Sequence, residues 1–268
     1  RNTVLFPGVV IPITAGRDKS IKLINDANAA GKVIGVVAQI DEGVEEPTPA
    51  DVHHIGTVAQ IIRVLKMPDG NITVILQGKK RFEIIDFVQT EPYLTATIKD
   101  IPEERPLPKE EEFQAIIDSV KEVATKIIQE SPNIPSEATF AIKNIESQSF
   151  LINFVSSNMN LSVKEKQELL SMHVLKERAM ATLRFMKLEL QKLELKNDIQ
   201  SKVRSDLDQQ LYENFVLCKD LVGDVHHADT TDELRHLLSA DGGGVIFTTI
   251  EKFRLKDLEE GKELAHPV

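Results

Sequence analysis

The sequence predicts an α+β fold: a small antiparallel sheet, barrel-like and closed or partly closed, then a helical bundle with one long helix, then a short α/β segment at the C-terminus. Three observations predict it. Residues 1–100 hold several short β-branched or alternating runs punctuated by Pro, Gly and Asp. From Lys109 the apolar residues recur at helical spacing. Residues 163–204 carry 10 basic and 6 acidic side chains (+4) and residues 205–268 carry 6 and 14 (−8), which marks a boundary near 205.

Along the chain, residues 4–6 and 9–13 are short apolar runs broken by Pro7 and Gly8, which suits edge or corner strands. Ser20 is placed to cap a helix over 21–30, whose Ile21, Leu23, Ile24 and Ala27 recur at helical spacing, and Gly31 to end it. Residues 33–40 read as a buried strand and the acidic, Pro-containing 41–51 as a loop. A hairpin joins 57–64 to 72–76 through Pro68-Asp69-Gly70, which supplies the fixed and positive φ values of a tight turn. Gly78-Lys79-Lys80-Arg81 reads as a further turn into a strand over 82–88, and 93–99 alternates as a last strand. Residues 102–108, with prolines at 102, 106 and 108, form a linker.

Phe113, Ile116, Ile117, Val120, Val123, Ala124 and Ile127 then make one helical stripe behind the acidic start at 110–112. Ser131-Pro132-Asn133 ends it, 134–144 and 149–157 are shorter helices, and Ser162 with Glu165 is a capping box opening a long helix. Within that helix Leu183, Met186, Leu190 and Leu193 step three or four residues apart. They either pack it on its own bundle or form the seam of a coiled-coil arm. The domains so defined are 1–104, 105–162, 163–210 and 211–268.

Composition narrows the function. With 268 residues, 41% hydrophobic and 28% charged, the chain can bury a core and suits one or two domains at roughly 150 residues each. A net charge of −10 disfavours a nucleic-acid partner. The single cysteine, Cys218, and the lack of a leader pattern predict a cytoplasmic protein, and no apolar run approaches the ~20 residues of a membrane span. No G-x-x-x-x-G-K-[ST], H-E-x-x-H, paired C-x-x-C or G-x-S-x-G occurs, so no catalytic residue is expected. Cys218, Asp224, His226, His227 and His236 match no zinc spacing, so no metal is expected either.

Arg1-Asn2-Thr3-Val4-Leu5-Phe6-Pro7-Gly8, Gly56-Thr57-Val58-Ala59, Pro68-Asp69-Gly70, Gly78-Lys79-Lys80-Arg81-Phe82 and Pro92-Tyr93-Leu94-Thr95-Ala96 follow one another at family-like intervals. With the Leu-rich helix running into Leu195-Lys196-Asn197-Asp198-Ile199, residues 1–205 resemble the N-terminal region of the bacterial Lon ATP-dependent proteases. The resemblance implies a PUA-like, β-rich substrate-recognition domain, a helical bundle and a long helix leading to an AAA+ ATPase and a Ser/Lys protease domain. It implies unfolded or damaged proteins as partners and a homo-oligomer, hexameric in the full-length family. ATP and Mg serve that full-length family through motifs downstream of the matched residues, so this chain is expected to hold no cofactor and to act as no enzyme alone.

Residues 211–215, Thr231-Asp232-Glu233-Leu234-Arg235 and 243–253 resemble instead the motor (R) subunit of type I restriction enzymes, while 204–210 fit either family. The chain therefore reads as a hybrid. Three functions follow: a Lon-type substrate-recognition and oligomer-organising module, part of a DNA translocase, or a stand-alone protein-binding scaffold. The charge of −8 over 205–268 opposes a DNA track. A lone strand at 245–249 without flanking strands is expected to leave 211–268 loosely ordered.

A module for unfolded chains needs exposed apolar patches rimmed by charge. The candidates are Met67 and Pro68 at the hairpin tip and Val9, Val10, Ile11 and Pro12 at the first corner. The plainer readings are a surface methionine without a role and ordinary core at 9–11.

Overall fold

The computed structural model describes residues 3–41, 43–68, 70–107, 110–217, 224–228, 230–239 and 244–248. The chain divides into two compact units, Arg1–Leu193 and Glu194–Val268. The boundaries expected at 104 and near 205 fall inside the first and the second unit, respectively. Among the described residues no helix is long and apolar enough to cross a membrane.

The first unit opens with β1 (Val10–Ala15), α1 (Asp18–Ala30) and β2 (Val33–Val36), followed by β3 (Ile55–Lys66), β4 (Ile72–Gln89) and β5 (Thr95–Ile101). All five strands pair antiparallel. β3 lies between β2 and β4, while β1 and β5 occupy successive halves of the other edge of β4. α1 covers one face, where Ile24 packs with Leu5, Ala15, Ala59, Ile61, Ile72, Val74 and Leu76.

Several local expectations change. Residues 4–6 form no strand; Leu5 enters the sheet core while Val4 and Phe6 enter a second cluster, and Thr57 Oγ1 donates to the Leu5 carbonyl at 2.6 Å. β2 is a short edge strand with Val33 exposed, so the long buried strand over 33–40 is corrected: only one neighbour pairs with it. α1 starts at Asp18 with Arg17 as its uncapped N-cap, ahead of Ser20, and ends at Gly31 with φ +149° as expected. Gly78 makes no turn. It lies within β4 because the Phe6 carbonyl passes so close that a Cβ would strike it, while Gly78 N–H donates to the Val9 carbonyl at 2.9 Å. At the β3–β4 tip Gly70 has φ +86°, and Met67 N–H donates to the Asn71 carbonyl at 2.9 Å. Asp69 lies outside the described residues.

The helical part comprises α2 (Glu111–Glu130), α3 (Glu137–Lys143), α4 (Gln148–Asn158), α5 (Val163–Ser171) and α6 (Leu175–Leu217). The α2 stripe is buried as expected, except that Ile128 replaces Ile127 as the fully covered residue. Ser162 and Glu165 form the expected capping box, with Glu165 accepting from Ser162 N–H at 2.8 Å. The helix it opens stops at Ser171, however, and the single long helix over 163–210 is corrected to two. The reason is tertiary: Arg81 of β4 donates to the carbonyls of Leu170 (3.3 Å), Met172 (2.5 Å) and His173 (3.4 Å), and Arg178 of α6 donates to Met172 at 3.0 Å. Carbonyls that would continue the helix are turned onto guanidinium groups.

The linker completes this junction. Glu103 pairs with Arg178, while Glu104 N–H donates to the His173 carbonyl at 3.0 Å and the Glu104 carbonyl accepts from Leu175 N–H at 2.9 Å. Burial and the neighbouring Arg178 lower the Arg81 pKa to about 10, so it stays charged at neutral pH. Burial alone would raise the Glu103 pKa. Hydrogen bonds from Ser149 and Arg178, with the charge of Arg178, outweigh it and hold the carboxyl below its ordinary 4.5. A depressed carboxyl stabilises the fold fully above its unfolded pKa and loses that contribution as pH falls through the folded value. The melting-temperature gap between the natural chain and Glu103→Gln is therefore expected to be widest above about pH 4.5 and to narrow as the pH is lowered towards 3. Thermal melts across that range measure it.

Sheet and helices also share apolar core: Val4, Phe6, Val9 and Ala38 pack with Leu169 and Leu170. Asn153 Nδ2 donates to the Pro7 carbonyl at 3.1 Å and Gln167 Nε2 to that of Ile55 at 2.8 Å. Leu183 and Met186 are buried in the cluster with α2 and α4, Leu190 packs against it, and Leu193 is half-buried, which is the bundle-packing alternative.

In the second unit, β6 (Asp224–His227) pairs parallel with β7 (Gly244–Phe247) across α7 (Thr231–Leu238). This corrects the expected lone strand: β7 has a partner, and Ala228 and Leu234 are buried. Thr230 caps α7 in a box with Glu233. The tyrosine ring at 212 meets His227 and Phe247 edge-on, at 5.3 and 6.1 Å between centroids. Thr249 and the residues after it lie outside the described residues, as does Cys218.

Candidate functional site

Strand alternation sorts the predicted site residues. Val9 and Ile11 turn inward, Val9 fully buried, so these two are corrected from surface candidates to core. Val10 and Pro12 turn outward, with Val10 53% exposed. Register carries that outer face across the sheet. Val10 lies opposite Gln77, Gln77 opposite Gln60, and Gln60 opposite Val33; in the next row Pro12 lies opposite Ile75 and Ile75 opposite Arg63. Thr14, Thr73 and Leu65 make a third row, with the two threonine hydroxyls 3.2 Å apart.

The face opposite α1 is therefore an apolar and neutral-polar surface. Val10, Val33, Ile62 and Leu65 are exposed on it, Ile75 is half-buried, and exposed Met67 and Pro68 extend it at the hairpin tip. Ile62 sits at the bulge between Ile61 and Arg63, where the extra residue interrupts pairing. Arg63 is the one charged side chain in the three rows, and Lys66 and Lys79 stand at their margins, with Lys79 Nζ 2.6 Å from Gln77 Oε1. Sequence reasoning found Val10, Pro12, Met67 and Pro68 here. It missed Val33, Ile62, Leu65 and Ile75, whose signal was present as alternation but needed the register to assign a face.

No cluster of three or more His, Cys, Asp or Glu among the described residues is arranged to hold a metal ion. The chemistry available on this face is non-covalent contact: apolar side chains that gain by leaving water, and amides and hydroxyls that bond a peptide backbone.

The family model of the ATP-dependent protease La (LON) substrate-binding domain matches residues 1–188. The chain belongs to the Lon family. It is 71% identical over 239 residues to the Lon protease of Flavobacterium johnsoniae, covering 87% of this chain and 29% of that protein. It is 47% identical over 216 residues to that of Cytophaga hutchinsonii, covering 81% and 27%. The chain thus spans less than a third of these Lon relatives. Among solved structures, the N-terminal domain of Mycobacterium avium complex Lon protease aligns with a TM-score of 0.56 at 18% identity, covering 69% of this chain and 94% of that one. That likeness shows the Lon N-terminal fold: an antiparallel sheet followed by helices. A SWI2/SNF2 ATPase model matches residues 180–267, overlapping the Lon match over 180–188.

Proposed function

We propose that the chain is the substrate-recognition part of a Lon-type ATP-dependent serine protease and captures unfolded or damaged proteins in the cytoplasm on the outer face of its sheet. The observation that carries the reading is the apolar face itself: a soluble sheet normally alternates apolar inside with polar outside, yet Val10, Val33, Ile62 and Leu65 stand exposed on the outer side. Non-native chains differ from native ones chiefly in exposed apolar side chains, and a flexible Met67 at the margin adapts to varied ones. ATP, Mg and the Ser/Lys centre belong to other parts of the protease, and the recognition part works within a homo-oligomer. The similarity to SWI2/SNF2 ATPases, with the parallel β6–β7 pair, supports a translocase origin for the second unit, whose charge of −8 over 205–268 opposes binding to DNA.

Val10→Gln combined with Leu65→Gln tests the reading. Affinity for a reduced, carboxymethylated protein that cannot fold is expected to drop about tenfold, equivalent to ~1.4 kcal/mol, with the melting temperature unchanged. Fluorescence anisotropy with the labelled unfolded protein measures it, and an unchanged affinity in the folded double variant overturns the proposal.

A further inference from the structure

The two chain segments that cross between sheet and helical bundle lie side by side. One is the linker after β5, the other the break between α5 and α6, and Glu104 joins them through its backbone to His173 and Leu175. α5 goes with the sheet, through Leu169, Leu170 and the Gln167 bond to Ile55. The first turns of α6 pack in the bundle through Leu175, Ala179 and Leu183, while Ala181 and Phe185 also rest against the sheet-side cluster. Nothing local stops a helix at Met172-His173-Val174, which contain neither Gly nor Pro. The interruption is held from outside, by Arg81 reaching across from β4 and by Arg178 anchored on Glu103.

We propose that this junction is a hinge with two settings: bent while Arg81 and Arg178 hold the carbonyls of Leu170, Met172 and His173, and straight, with α5 running on into α6, once that grip is released. Several features fit a poised element. The two buried guanidinium groups have one nearby carboxylate, Glu103, which pairs with Arg178 and with exposed Arg105, so positive charge is in excess. Arg178 Nε is buried without a hydrogen-bond partner among the described residues, and Asn153 Oδ1 and Gln167 Oε1, at the same seam, are in the same condition. A partly satisfied polar cluster holds its geometry less firmly than a complete one. In the straight setting the freed carbonyls find their partners within the helix, four residues on. The motion carries the sheet and its outer face with α5, relative to the bundle.

Spin labels at exposed Lys164 on α5 and Lys187 on α6, in a chain with Cys218→Ser, read the setting directly. In a continuous helix the 23-residue step from one to the other spans about 35 Å, and the bent junction holds them closer. Arg81→Met is expected to move the distance distribution to about 35 Å. His173→Pro added to it is expected to restore the shorter distance, because Met172 already has the extended conformation (φ −70°, ψ 110°) that a residue before proline requires. An unchanged distribution in Arg81→Met with a cooperative melt overturns the hinge. If Arg81→Met does not melt cooperatively, Glu103→Gln takes its place, with a second population near 35 Å expected and its absence overturning the proposal.

Discussion

Arg178→Ala is expected to cost about 3–5 kcal/mol of stability, because it removes the buried partner of a carboxylate that has no easy return to water. Arg178 is completely buried and Glu103 16% exposed, so truncation leaves the Glu103 charge with only the exposed Arg105, at 3.3 Å, and leaves the Met172 carbonyl to Arg81 alone. For a unit of this size such a loss lowers the melting temperature by roughly 6–20 °C. The companion variant Glu103→Gln/Arg178→Met, which removes both charges and keeps the volume, is expected to recover much of the loss. Urea denaturation of the three chains decides it: a cost below 1 kcal/mol for Arg178→Ala would mean the pair is dispensable.

Phe6→Ala is expected to cost a similar 3–5 kcal/mol by a different route. Phe6 is fully buried and packs in the cluster that joins Val4, Val9 and Ala38 to Leu169 and Leu170. Its backbone is fixed as well: its carbonyl accepts from Val9 N–H at 3.2 Å and lies against Gly78. With the main chain held on both sides, the cavity has little means of collapsing, which places the cost toward the upper end of the range. Phe6→Leu retains most of the volume and is expected to lose less than half as much. Denaturant melts of both variants provide the check, and equal losses would point to backbone strain in place of packing.

The parts of the fold that were legible in sequence are those whose cause is local. The 57–64/72–76 hairpin, the α2 stripe and the Ser162–Glu165 box each place their signal within a few residues of the structure it specifies. The α5–α6 break was illegible because its cause sits 91 residues away, in an arginine that reads in sequence as part of a basic turn. β6 was missed for a related reason: Asp224-Val225-His226-His227 has one apolar residue, and only pairing with β7 makes it a strand. For the candidate site, alternation separated Val10 and Pro12 from Val9 and Ile11 only once β1 was known to lie on β4.

The arrangement of β1 on β4 also governs what the growing chain leaves uncovered during synthesis. β3 and β4 close a tight turn and can pair soon after they emerge, whereas β1 must wait for Ile72–Gln77. The wait is longer for Val4, Phe6 and Val9, whose cover arrives with Leu169 and Leu170. At roughly 5–20 residues per second, the intervening 160 or so residues take on the order of 8–30 s to appear. For that interval the nascent chain displays a short apolar segment of the kind that chaperones hold, so a protein proposed to capture unfolded chains is for a time one itself.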